Sequence, residues 1–441
     1  MRLVLRFFLL LALSLWETSP IGAFPLQTPS SSPQAEAPPS TTSNAPGTTS
    51  YRLPHEKYEK AVAFSRAGYR LYFLSAFWNI AAILLLLRFR FFSALRDLAE
   101  SRTTKRRWQA AILVLGVFGL LALLNLPIRM YWHSLSVHYG QSVQPWGKWF
   151  RDWGKAEFLQ LGLAFLVVLV VFALIRRSPR RWWFHAWLCA IPCTLFLVFI
   201  APLYIDPLFN KFTPLERTNP VLTASIVTLT RAARQPIAQD RIFLMDASKN
   251  TNAINAYVTG LGSSKRVVIW DTSIAKTSPD GLLYIVGHEM GHYVYHHVIK
   301  GTSFFLAMLL AALFLAHRLL RWMVPRWGAA WGIPGESDWA ALGVLLLLLQ
   351  VMSFLGAPIG NAFSRMEEHN ADAYGLEIAQ GLIPNANEVA AHSFQVLGEE
   401  DLDDPNPSKF IVFWLYSHPP LNERLRFAHN FTPAQANPGS H

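Results

Sequence analysis

Charge is scarce in this chain. Of its 441 residues only 15% are Asp, Glu, Lys or Arg, against about a quarter in an ordinary soluble protein. Cysteine is scarcer still, with two residues, Cys189 and Cys193. They lie one helical turn apart inside an apolar run, where adjacent turns of one helix rarely offer disulfide geometry. They are expected to pack as small apolar thiols, and cysteine usage says little about redox compartment. No internal repeat is visible. What fills the space left by charge is apolar residue, 52% of the chain, in runs long enough to cross a bilayer. The protein is therefore expected to be integral to a membrane. The formal charge of +11 does not mark a nucleic-acid binder. Most of the excess sits in short loops between apolar runs, where basic residues set orientation.

Met1–Ala23 carries Arg2 and Arg6, a short apolar core from Phe7 to Trp16, and Ile21-Gly22-Ala23. This pattern reads as a signal peptide cut after Ala23, or as an uncleaved N-terminal anchor. Residues 24–68 follow as a Pro/Ser/Thr-rich disordered linker and lead-in. Four apolar spans are expected within 69–205, at about Tyr69–Leu87, Ala110–Ile128, Phe158–Ile175 and Phe184–Ile205. Two more are expected at 303–323 and 340–360, inside a catalytic region running from 206 to 441. The loops after spans one and three hold Arg88, Arg90, Arg96, Arg102, Lys105, Arg106 and Arg107, then Arg176, Arg177, Arg180 and Arg181. Both should be cytoplasmic. That places residues 206–302 and 361–441 together on the extracytoplasmic side, free to build one site.

Within 206–302 the pattern is that of a small α/β unit. Leu222–Ala233 has helical spacing, and Ile242–Met245, Asn255–Thr259 and Arg266–Trp270 read as short strands. Gly260-Leu261-Gly262-Ser263-Ser264 turns the last two into a hairpin. A helix over about Pro279–His297 follows, with Ser278 as its cap. It contains His288-Glu289-Met290-Gly291-His292, or H-E-x-x-H. Positions i and i+4 share a helix face, so both imidazoles can hold one zinc ion with Glu289 beside it. Two histidines leave zinc short of ligands. Glu368, in Ser364-Arg365-Met366-Glu367-Glu368-His369-Asn370-Ala371-Asp372, would complete a His2Glu catalytic set with one open position. Asp372, one turn on, could hold the far nitrogen of a ligand histidine. His296 and His297 are the nearest spare ligands and are read as interface residues. Near the C-terminus, His418 is held before Pro419-Pro420, as an outer donor or a turn residue.

Taken together these motifs resemble the type I CAAX prenyl endopeptidase family of integral-membrane zinc metalloproteases, from about Glu56 to Phe427. The resemblance rests on Pro207-Leu208-Phe209-Asn210-Lys211-Phe212-Thr213-Pro214-Leu215-Glu216, on Asn255-Ala256-Tyr257 with Lys265-Arg266-Val267-Val268 and Asp271-Thr272, on the two zinc motifs, and on Tyr416-Ser417-His418-Pro419-Pro420 with Arg424. It implies one zinc ion on His288, His292 and Glu368. It implies Glu289 as general base and Asp372 as a catalytic or supporting carboxylate. Asn255, His418 and Arg424 would steady the substrate carbonyl and its oxyanion. The implied fold is mainly α: a polytopic helical membrane protein enclosing a chamber, with a small zincin-like α/β unit. Substrate would pair as an added strand along Asn255–Tyr257.

Two departures bear on function. Familiar family members have seven spans, against six here plus the N-terminal candidate. The best-known eukaryotic members present their site to the cytosol, whereas the loop charges here argue for the outside. The expected partners are a peptide or membrane-associated protein substrate and membrane lipid, with no nucleic acid. Besides a prenyl-directed endopeptidase, two alternatives stand: a membrane quality-control protease without prenyl preference, and a non-catalytic scaffold holding a structural zinc.

Overall fold

The computed structural model describes residues 51–199, 204–260 and 264–433. The leader expected over 1–23 and most of the linker lie outside the described residues. The lead-in expected to run to residue 68 is already helical at α1 (His55–Arg88). Then come α2 (Phe91–Arg102), α3 (Arg106–His138), α4 (Trp146–Arg177) and α5 (Trp182–Phe199). Apolar residues at i and i+4 make the packing stripes, Leu113 and Val117 on α3, and Ala164, Val168 and Phe172 on α4. These meet in one buried cluster with Trp182 of α5. The fourth expected span falls on α5, a shorter apolar helix, and its residues 200–203 are outside the described residues.

The catalytic region opens with β1 (Phe212–Pro214), then α6 (Pro220–Ala232), β2 (Ile242–Met245), β3 (Ala256–Thr259), β4 (Arg266–Trp270), α7 (Asp271–Lys276) and α8 (Pro279–Val294). The sheet order is β1-β2-β4-β3. β2 and β4 are parallel, and the outer strands are antiparallel to their neighbours. The sequence reading missed β1. It is three residues long and ends in proline, which an edge strand tolerates. Ser278 Oγ accepts the Gly281 amide at 3.1 Å and caps α8 as expected.

α8 ends three residues before the expected His297. His296 takes the left-handed conformation at φ 55°, a region in which His is enriched among non-glycine residues. The chain turns there and restarts as α9 (His297–Trp331). α10 (Leu342–Gln380) holds both the sixth expected span and the acidic motif that follows it in sequence. The chain closes with α11 (Ala386–Asp401), α12 (Lys409–Leu415) and α13 (Leu421–Asn430). Among the described residues, five helices are long and apolar enough to cross a membrane: α1, α3, α4, α9 and the one containing α10.

The basic loops gather at one end. Arg96 Nη1 donates to the Gly332 carbonyl and the Asp338 carboxylate, each at 3.0 Å. The Arg176 guanidinium lies 4.6 Å from the centre of the Trp339 ring. The sheet and the two halves of the H-E-x-x-H and acidic pair lie together at the opposite end of the α10 span. α8 sits between two apolar clusters. Leu282, Val286 and Met290 pack toward the sheet and α6. Tyr284 packs on Phe394 of α11. The stripe that begins at Tyr284 continues through His288 to His292, passing from core into cleft.

Candidate metal and catalytic site

α8 and α10 cross closely because both carry glycine at the crossing. A Cβ at Gly375 would lie 3.0 Å from the His288 amide nitrogen, and one at Gly291 would lie 3.0 Å from Ala371 Cα. At that spacing Glu368 on α10 reaches the α8 histidines. His288 Nε2 is 3.2 Å from His292 Nε2 and 3.3 Å from Glu368 Oε2, and His292 Nε2 is 3.6 Å from Glu368 Oε1. Ligands about 2.05 Å from a zinc ion at tetrahedral angles are separated by about 3.3 Å. The three donors are therefore spaced for one such ion. Ligand atoms of His288, Glu289 and His292 also lie within 4.8 Å of one another. Glu368 Oε2 is buried with no hydrogen-bond donor, an exposed cost unless a cation faces it. A His2Glu donor set of borderline hardness suits zinc above calcium or magnesium.

Both histidines are held from the far side of the ring. Asp372 Oδ1 is 2.8 Å from His288 Nδ1. Asp372 is 1% exposed and takes a two-pronged contact from Arg424, Nε at 2.8 Å and Nη2 at 2.6 Å. His292 Nδ1 is 3.0 Å from His297 Nδ1, and His297 is buried. His297, read from sequence as a spare interface residue, thus backs His292. The sequence signal for it was weak. His297 is five residues beyond His292, off the i+4 face, and only the break at His296 brings it round.

Burial and neighbouring charges push the titratable groups of this pocket in different directions. Burial works against a charged His288, but Asp372 and Glu368 outweigh it and carry its pKa up to about 10. His292 goes the other way, to about 3, through burial and the neighbouring His288. Burial pushes the Glu289 carboxyl up to about 7, with His288 opposing and Glu368 adding. The Val258 amide donates to that carboxyl. Val258 lies on β3, the open edge of the sheet. The Trp270 amide donates to the Asn255 carbonyl across to β4, so the odd residues of β3 bond inward. The backbone groups of Ala256 and Val258 then face the cleft. The free edge thus offers Ala256, inside the expected Asn255–Tyr257 stretch, and Val258 beyond it.

The remaining predicted residues fall at different distances from this centre. His418 Nε2 is 3.4 Å from Glu368 Oε1, and its side chain is 56% exposed, so it lines the cleft. Asn255 stands exposed at the head of β3, its amide and carbonyl both held by Ser273 Oγ at 2.8 Å. Arg424 departs from the expectation that it faces the substrate oxyanion. Its guanidinium is committed to Asp372 and lies 4.2 Å from the centre of the Phe394 ring.

Known proteins fit this arrangement. A family model described as peptidase family M48 matches residues 216–432. Another, described as CAAX prenyl protease N-terminal, five membrane helices, matches residues 39–211. An uncharacterized metalloprotease of Bacillus subtilis, YhfN, is 38% identical over 306 residues, covering 69% of this chain and 70% of its own. CAAX prenyl protease 1 of Saccharomyces cerevisiae is 24% identical over 395 residues, covering 84% and 85%. The crystal structure of S. mikatae Ste24p aligns with a TM-score of 0.73 at 24% identity, covering 86% of this chain and 90% of that one. Its likeness shows the fold, a helical membrane chamber with a small sheet.

Proposed function

The chain belongs to peptidase family M48, and on that premise we propose that it is a zinc endopeptidase in which His288, His292 and Glu368 hold one zinc ion and Glu289 is the general base. It is a multi-pass integral membrane metalloprotease. One observation carries the finer reading. Three donors from two helices converge at tetrahedral spacing with a carboxyl beside them.

Zinc held there would polarise the scissile carbonyl and bring the attacking water toward a pKa near ~7. Glu289 takes that water's proton and passes it to the leaving amine. Asp372 fixes the His288 ring, and Arg424 fixes Asp372, so we assign both a positioning part. His418, open to the cleft, donates to the developing oxyanion, and such donors are worth about 3 kcal/mol each. Asn255 at the head of β3 steadies the substrate chain. The substrate lies extended along the free edge, paired to the outward groups of Ala256 and to the Val258 carbonyl, the Val258 amide being held by Glu289.

Relatives named CAAX prenyl proteases make prenylated C-terminal peptides the first substrate class to offer. A second reading, a membrane quality-control protease without prenyl preference, is favoured by the loop charges, which argue for an extracytoplasmic site. The two separate in one experiment. Purified full-length protein is given a quenched peptide library with and without farnesyl groups, beside Glu289→Gln at equal zinc content. Cleavage lost in the variant supports the mechanism, and a farnesyl-dependent rate supports the prenyl reading. Equal cleavage by both proteins removes Glu289 from its role. Zinc that resists chelation, with no cleavage of any substrate, would favour the scaffold.

A further inference from the structure

α12 is a seven-residue helix, Lys-Phe-Ile-Val-Phe-Trp-Leu, in a stretch of chain otherwise placed outside the membrane. Its packing partners are membrane helices. The Phe410 ring stacks on Phe73 of α1 at 5.9 Å and 22°. Trp414 packs on Phe354 of α10 at 4.9 Å. Phe73 is four residues beyond Tyr69, where the first apolar run begins, so it sits about 6 Å inside that run at 1.5 Å per residue. Phe354 is six residues before Gly360, where the last run ends, or about 9 Å inside. Two helices running in opposite directions thus give a similar depth for α12.

The outer face of α12 is apolar and open. Phe410 is 55% exposed and Phe413 is 52% exposed. They continue the exposed apolar surface of Leu74 and Phe77 on α1 and of Leu355 and Ile359 on α10. Cationic side chains border it on the aqueous side. Lys409 opens α12, and Arg365, just past the α10 span, donates to the carbonyls of Val412 and Tyr416. A long basic side chain such as that of Lys409 at this level characteristically reaches for headgroups.

We propose that α12 is seated in the apolar edge of the bilayer on the catalytic side, with Phe410 and Phe413 against acyl chains. The occupant of the open face is phospholipid, because the face is continuous with that of the spanning helices. The chain leaves α12 through Tyr416, whose hydroxyl meets that of Tyr69 at 2.7 Å, and two residues later presents His418 to the cleft. His418 therefore hangs from an arm anchored in lipid, which keeps the cleft at the membrane surface. The seat itself does not depend on the peptidase reading; only the consequence for His418 rests on it.

The test is a collision measurement on a spin label. Full-length protein with Cys189→Ala and Cys193→Ala receives Phe413→Cys, is labelled, and is placed in phosphatidylcholine nanodiscs. The seat requires collisions with oxygen to exceed those with a nickel chelate severalfold, as for lipid-facing sites. A label more accessible to the nickel chelate would put α12 in water and overturn the proposal. A label shielded from both would mean that a second copy or another protein covers the face, which also overturns it. Phe410→Cys offers the same reading where Phe413→Cys fails to fold. A protein that passes this test but cleaves no peptide would count against the peptidase reading alone.

Discussion

His292 Nδ1 lies 3.0 Å from His297 Nδ1, a contact between two rings on either side of a left-handed break. For His292 to aim an Nε2 lone pair at the ligand set, its proton must sit on Nδ1, and His297 is placed to accept it. His297→Ala is expected to weaken zinc binding about 10- to 100-fold, read by competition with a chromogenic chelator. His297→Asn, whose side-chain oxygen falls near the lost Nδ1, should retain most of the affinity. Parent-like affinity in the alanine variant would remove His297 from this role.

The crossing of α8 and α10 is tight for a methyl group at Gly375, since the atoms it would meet, at 3.0 and 3.1 Å, are the backbone nitrogen and Cα of His288. Backbone cannot step aside as a flexible side chain can. Gly375→Ala should cost about 1–3 kcal/mol through overpacking and draw Glu368 away from His288. Thermal unfolding and zinc content, measured together, check this. A variant with full zinc and the parent melting point contradicts the account.

Arg424 and Asp372 form a buried pair whose loss from one side leaves the other charge uncompensated. Arg424→Gln is expected to cost about 3–5 kcal/mol, and Arg424→Lys should recover only part, since an ammonium cannot match the two-pronged contact. Zinc occupancy decides between roles. A positioning part predicts that occupancy falls with activity; an oxyanion donor would lose kcat at full occupancy.

Asp401 ends α11 buried, with Oδ1 lacking a hydrogen-bond partner. Burial pushes its carboxyl well above the usual range, with Asp403 and Glu400 adding and Lys276 opposing. Burial also lifts Asp403, to about 6. A carboxyl whose pKa is raised on folding favours the folded state while protonated. That contribution is complete below the unfolded value near ~3.9 and is lost as pH rises through the folded value. Asp401→Asn should therefore raise the melting temperature at pH 8 and change it little at pH 4. An equal shift at both values would assign the effect to something other than this titration.

The local patterns were readable without coordinates. The Ser278 cap, the i,i+4 spacing of His288 and His292, the short strands β2 and β4, and the apolar lengths of five spans each depend on residues a few positions apart. Elsewhere the reading stopped at neighbours in sequence. β1 carries no alternation long enough to show, and its proline argues against a strand until an edge position is known. The end of α8 was placed at His297 because the helical spacing runs on past Val294, and only the backbone at His296 shows the turn.

The sequence by itself determined that this is a membrane protein carrying a metalloprotease motif, because composition, period and spacing are local properties. Tertiary structure decided which side chains stand behind His288 and His292. Arg424 reaches Asp372 across 52 residues, so a side chain expected at the oxyanion turns out to hold a carboxylate. The cleft-facing phase of β3 followed from its pairing with β4, and the depth of α12 from its stacking on α1 and α10. Each was set by segments far apart in the chain meeting in space, and one sequence carries no direct record of which segments meet.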